Sequence, residues 1–208
     1  VNTDDLSFTN NSVNGGMALI SKDRAGLNGG EFSLFLTSSG SVKVIQQTPY
    51  NSLQLQSAPV ITEGQWHHIV YSAGSDGVQI FVDSILVASD NSYTGGLVNN
   101  SADPVLGVYT GNMDNSGFIP SAASDYFKGE IDDVRFYDQQ LSAGLVSLLY
   151  SQSGGDCQTC QSTAFKIAHW DFDVCSLDGQ SGTVVDVKNG INGITQGNVS
   201  SDENGRFC

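Results

Sequence analysis

Gly64-Gln-Trp-His-His-Ile-Val-Tyr71 and Gly129-Glu-Ile-Asp-Asp-Val-Arg-Phe-Tyr137 decide how this chain is read. Each is a run of β-forming residues opened by a glycine, the residue that turns a chain most easily before a strand begins. Between them, Val78-Gln-Ile-Phe-Val-Asp-Ser-Ile-Leu-Val87 reads as a hairpin. Working outward, strand signals recur at Met17–Ile20, Glu31–Leu36, Val42–Gln46, Ser52–Gln56, Ser84–Ser89 and Val105–Val108, mostly separated by Gly, Asn or Pro. Short strands at such spacing predict an all-β fold of the sandwich type. His67–Tyr71 and Val78–Val82 alternate in polarity, which predicts one face of each in the core. Leu141, Leu145, Leu148 and Leu149 have helical spacing, so a short helix is expected over 141–150, with Gly144 weakening it by about 1 kcal/mol relative to alanine.

Composition narrows the function classes. The 208 residues suffice for one full domain and a remainder, or for two small domains; 39% are hydrophobic and 24 are glycine. Acids outnumber bases 22 to 8, a net charge of -14. That field repels phosphate and argues against nucleic acid or an anionic membrane as partner, while suiting solubility or a divalent cation. No apolar run of about 18 residues occurs, so no membrane insertion is expected. The chain opens at Val1 without a signal-peptide pattern, as a processed mature protein or a piece of a longer one would. Cys157, Cys160, Cys175 and Cys208 all fall in the last quarter, an even set that suits disulfides in an oxidising compartment. Of the three connectivities open to them, Cys157–Cys160 with Cys175–Cys208 is favoured because the second bond closes one local unit. Cys157-Gln-Thr-Cys160 has neither the second Cys-x-x-Cys of a zinc site nor a βαβ context for redox chemistry.

The two opening stretches and the hairpin between them closely resemble laminin-G-like, concanavalin-A-like jelly-roll modules over about residues 4–150. Such modules often end in a helical turn after a stretch like Tyr137-Asp-Gln-Gln-Leu-Ser142. The resemblance implies an antiparallel jelly-roll β-sandwich in a secreted or cell-surface protein. It also implies a non-catalytic adhesion or recognition role toward a glycan or a cell-surface protein, with calcium as a supporting cofactor. The organisation expected is a jelly roll over 1–150, a Cys-containing linker over 151–164 and a strand segment over 165–208.

That last segment is the puzzle. Phe165-Lys-Ile-Ala-His-Trp-Asp-Phe-Asp173 and the later Asp186-Val-Lys-Asn-Gly-Ile-Asn-Gly193 resemble the opening of such a module, an opening that the first module lacks. About 44 residues bury too little to fold alone. The tail therefore either packs back on 1–150 and completes the sandwich, or completes a neighbouring copy, or begins a second module with incidental contacts. Completion by a neighbour is head-to-tail and would build a filament from further copies of the chain. Phe165, Ile167, Trp170 and Phe172 are the expected docking side chains.

Catalysis is not expected. Retaining glucanases of this fold carry two acids on one strand face, as Glu-x-Asp-x-(x)-Glu. Here Glu130-Ile-Asp132 is followed by Arg135 and Phe136 where the second glutamate should stand. His67 and His68 are strand neighbours pointing to opposite faces, so they form no pair. Calcium needs converging oxygen ligands, and the candidates are Asp23, Asp114, Asp132, Asp133, Asp171 and Asp173; for each alone, capping a turn is the plainer role. Tyr50, Tyr93, Tyr109 and Phe118 are candidate lining for a recognition surface.

Overall fold

The computed structural model describes residues 1–7, 14–23, 31–48, 51–94, 102–110, 123–152, 166–170, 183–184 and 193–194. In chain order its elements are β1 (Asn2–Thr3), β2 (Met17–Asp23), β3 (Glu31–Leu36), β4 (Val42–Thr48), β5 (Asn51–Gln56), β6 (Ile69–Gly74), β7 (Gly77–Val82) and β8 (Ile85–Asp90). There follow β9 (Val105–Leu106), β10 (Tyr109–Thr110), β11 (Ala123–Ser124), β12 (Gly129–Glu130), β13 (Val134–Tyr137), the helix α1 (Ala143–Gln152), β14 (Lys166–Trp170), β15 (Thr183–Val184) and β16 (Gly193–Ile194). Contacts divide the chain into two compact units, Val1–Glu130 and Ile131–Cys208.

The first unit is an antiparallel sandwich. Its larger sheet runs β5-β4-β3-β2-β9 and its smaller one β6-β7-β8. The register of the larger sheet sorts its side chains into two faces, because alternate residues point to opposite sides. One face carries Leu53, Leu55, Val44, Leu34 and Ile20 in matched rows. It meets the smaller sheet where Leu53, Val78 and Tyr93 form a buried cluster, and where the Phe32 and Tyr71 rings stack at 5.3 Å. The Tyr71 hydroxyl donates to the side-chain oxygen of buried Gln46, so the one amide facing this core is satisfied. The β7 strand is buried at Val78, Ile80, Phe81 and Val82, hence on both faces. The alternation in its sequence led to one buried face, whereas both are buried.

Chain ends and turns are fixed by specific bonds. Val1 and His67 exchange backbone hydrogen bonds of 2.8 Å each, and Asn2 bridges to Trp66. The β1–β12 pair comes so close at Gly129 (φ 146°) that a Cβ there would lie 2.1 Å from the Asn2 carbonyl oxygen. The hairpin expected between Val78 and Val87 is β7–β8, turned by Asp83 (φ 49°) and Ser84 (φ 68°), the paired positive angles of a tight two-residue turn.

In the second unit, the continuous strand expected over Glu130–Tyr137 is interrupted at Ile131–Asp133. Asp133 has a φ of 53°, its N–H donates to Asp132 Oδ1 at 2.8 Å, and its carboxylate grips the Arg135 guanidinium at 2.6 Å. Local side-chain bonds of this kind compete with a strand ladder. The expected helix is α1, capped by Ser142, whose hydroxyl accepts from Leu145 N–H at 3.3 Å. The tail strand β14 pairs antiparallel with β13 of the same chain, Val134 opposite Trp170 and Phe136 opposite Ala168. Within the second unit, β13 thus has the tail strand of the same chain as its partner.

Candidate functional site

The second face of the larger sheet is polar in a way that the first is not. Asp23, Glu31, Gln47 and Ser52 stand in one register row across β2, β3, β4 and β5. Ser21, Ser33, Ile45 and Gln54 form the adjacent row. Tyr109 of β10 packs against the apolar floor of this face, made by Ala18, Phe35 and Ile45, with its ring 5.7 Å from that of Phe35. Its hydroxyl donates to Asp23 Oδ2 at 3.0 Å.

The electrostatics follow from burial that the nearby Lys43 charge offsets only in part. The Glu31 carboxyl is pushed up to about 7, by burial first and by the neighbouring Asp23 charge second; a hydrogen bond from Ser33 (3.1 Å) and the Lys43 charge offset part of this. Asp23 is raised by burial, with the Tyr109 hydrogen bond opposing. Burial also raises Tyr109, and the charges of Glu31 and Asp23 add to the effect. Near pH 7 the Glu31 carboxyl therefore exists in protonated as well as ionised form and can donate or accept a hydrogen bond beside a phenol, with Asp23 shifted in the same direction. Lys43 is held at one side, donating to the Asn14 carbonyl at 2.8 Å, while the Asn14 amide donates to buried Asp125 at 3.1 Å.

The other candidates divide clearly. Asp132 accepts from the Asp133 N–H and Asp133 holds Arg135, so both serve the local backbone. Asp23 faces Glu31 and Tyr109. Among the described residues no group of three or more His, Cys, Asp or Glu is placed to hold a metal ion. Asp114, Asp171, Asp173, the four cysteines Cys157, Cys160, Cys175 and Cys208, and Phe165 and Phe172 lie outside the described residues, as do Tyr50 and Phe118. Ile167 lies in β14 and Trp170 ends it, the Trp170 ring meeting Phe136 edge-on at 5.8 Å.

His67 and His68 have separate structural duties. The buried His67 ring accepts from Thr62 N–H at Nε2 (3.0 Å) and donates from Nδ1 to Asp83 (2.7 Å), which fixes its neutral tautomer. The second Asp83 oxygen accepts from the His68 backbone N–H at 2.9 Å. This arrangement ties the β7–β8 turn to the start of β6 and leaves His67 no free nitrogen for catalysis. Of the aromatic candidates, Tyr93 is buried in the core and Tyr109 lies at the polar face. Glu31 was missed by sequence reasoning. The available signal was an acid opening the otherwise apolar run Glu31-Phe-Ser-Leu-Phe-Leu36, a poor place for a charge unless it has work to do.

Comparison with known proteins agrees with this architecture. The laminin-G family model described as the concanavalin A-like lectin/glucanases superfamily matches residues 8–147. The crystal structure of a native heptameric SAP-like pentraxin from Limulus polyphemus is similar with a TM-score of 0.52 and 12% identity, over 79% of this chain and 75% of that one. That likeness concerns the fold. An S-layer domain-containing protein from Clostridium thermocellum ATCC 27405 aligns at 23% identity and a TM-score of 0.37, over 65% of this chain, which spans 63% of that one. None of the curated proteins matches.

Proposed function

Because the chain belongs to the concanavalin A-like lectin/glucanases superfamily through its laminin-G-type region, we propose that it is a non-catalytic extracellular module recognising neutral glycans on the polar face of its larger sheet. The observation that carries this reading is Asp23 and Glu31 in register on that face, with the Tyr109 hydroxyl bonded to Asp23. Sugar hydroxyls both donate and accept, and a Glu31 carboxyl pushed up to about 7 beside Asp23 and the Tyr109 hydroxyl can meet both needs. Uronates and sulfated sugars are disfavoured by a net charge of -14. The partly exposed Tyr109 ring, packed on buried Phe35, supplies an apolar surface of the kind that sugar-binding sites use alongside a few placed polar groups.

Secretion or surface display goes with this reading and is supported by the family and the cysteine usage. No helix of the described residues is long and apolar enough to cross a membrane. The modular division proposed with it is 1–150, 151–164 and 165–208, supported by a family match that ends at 147. Calcium is proposed only for acids outside the described residues, Asp114, Asp171 and Asp173. A rise in Tm across a calcium titration supports that role, and no shift removes it.

A glycan array probed with the full chain, with Tyr109→Phe and Asp23→Asn beside it, tests the recognition reading. Binding to neutral saccharides that both variants weaken is the expected result. Binding confined to anionic glycans, or unaffected by either variant, would overturn it.

A further inference from the structure

We propose that β13 is an exchangeable strand-acceptor edge, and that the β14 segment of a second copy of this chain occupies it when copies are concentrated. Among the described residues β13 has one strand partner, and that partner is the tail strand β14. The pairing is short. It has four register pairs, an irregularity between Phe136 and Tyr137, and one described ring contact, Phe136 against Trp170. Residues 153–165 join α1 to β14, and a connection of that length reaches at most about 45 Å. It can therefore deliver β14 to its own β13 or to that of an adjacent copy.

The two outcomes form the same backbone bonds and the same ring contact, so the choice between them is set by concentration. The closed form wins until the concentration of copies approaches the effective concentration that the connection provides, about the millimolar range. Exchange between two copies is reciprocal and closes a dimer, whereas donation onward to a third copy is open-ended. A net charge of -14 on each copy opposes either association, and salt screens that repulsion. This inference does not rest on glycan recognition, and either can fail without the other.

The test uses the full chain in native mass spectrometry and light scattering up to about millimolar concentration, at low and high salt, with and without an excess of a synthetic peptide spanning residues 165–171. Oligomers should appear at high concentration, increase with salt and return to monomer with the peptide. Amide exchange at Val134–Tyr137 should be equally protected in monomer and oligomer, because the ladder is the same. Trp170→Ala weakens the closed and exchanged pairings alike, so it should lower the Tm of monomer and oligomer equally without changing their ratio; if that variant folds poorly, the peptide competition on the natural sequence decides. A monomer under every condition, or oligomers indifferent to the peptide, would overturn the proposal.

Discussion

Replacing Glu31 by Gln should stabilise the protein, and only above a definable pH. The Glu31 carboxyl ionises near 4.5 in the unfolded chain and is pushed up to about 7 in the fold, chiefly by burial. Below about pH 4.5 both states hold the proton and the group contributes no difference. As pH rises from there the unfolded state ionises first, the folded state binds more protons, and stability falls until about pH 7, above which the loss is complete. At about 1.4 kcal/mol per pH unit, the interval corresponds to about 3 kcal/mol; screening by water at a partly solvated strand end reduces this to about 1–2 kcal/mol. Gln is a neutral isostere whose carbonyl oxygen can keep the hydrogen bond from Ser33, so it escapes the loss. Urea unfolding at fixed ionic strength should therefore give equal stabilities near pH 4.5 and a Gln variant more stable by about 1–2 kcal/mol near pH 8. A difference that does not vary with pH, or a Gln variant less stable at the alkaline end, would show that Glu31 is not a desolvated carboxyl. A site that gains stability when its charge is removed is expected where binding, rather than folding, selects the residue.

Gly129→Ala would drive a Cβ into the Asn2 carbonyl and should cost at least about 2 kcal/mol, read by thermal unfolding; an unchanged Tm would mean that β1 and β12 do not lie this close. Asp83→Ala removes the acceptor shared by His67 and His68 at a position with positive φ and should cost about 1–3 kcal/mol, whereas Asp83→Asn, which tolerates that conformation, should cost less. Ending the chain at Gln152 removes the partner of β13 and should lower stability by about 2–4 kcal/mol, at roughly 1 kcal/mol per backbone bond lost; melting identical to that of the full chain would contradict the pairing.

The strands were legible because their signals are local. The run Glu31–Leu36 and the hairpin around Asp83-Ser84 each carry their own pattern of apolar residues and turns, and each forms where expected. The break at Asp133 was not legible, because it depends on a side chain choosing Arg135 over the ladder, which no periodicity encodes. The site was half legible. Asp23 stood out as a loop acid and candidate metal ligand beyond a strand expected to end at Ile20, and its neighbour Glu31 becomes visible only once the β2–β3 register is known. Tyr109 was a candidate among four aromatics, and only its hydrogen bond to Asp23 separates it from Tyr93, which the core buries. Residues 24–30 connect β2 to β3, and their length alone does not fix which residue of one strand opposes which of the other.

The account rests on the polar sheet face being where ligand binds, and backbone amide shifts recorded during titration with a neutral oligosaccharide test this most directly. The prediction is a saturable set of shifts concentrated at Asp23, Glu31, Ser33 and Tyr109, reduced in Tyr109→Phe. Shifts confined to the β6-β7-β8 sheet, or none with any neutral saccharide while an anionic one binds, would contradict it.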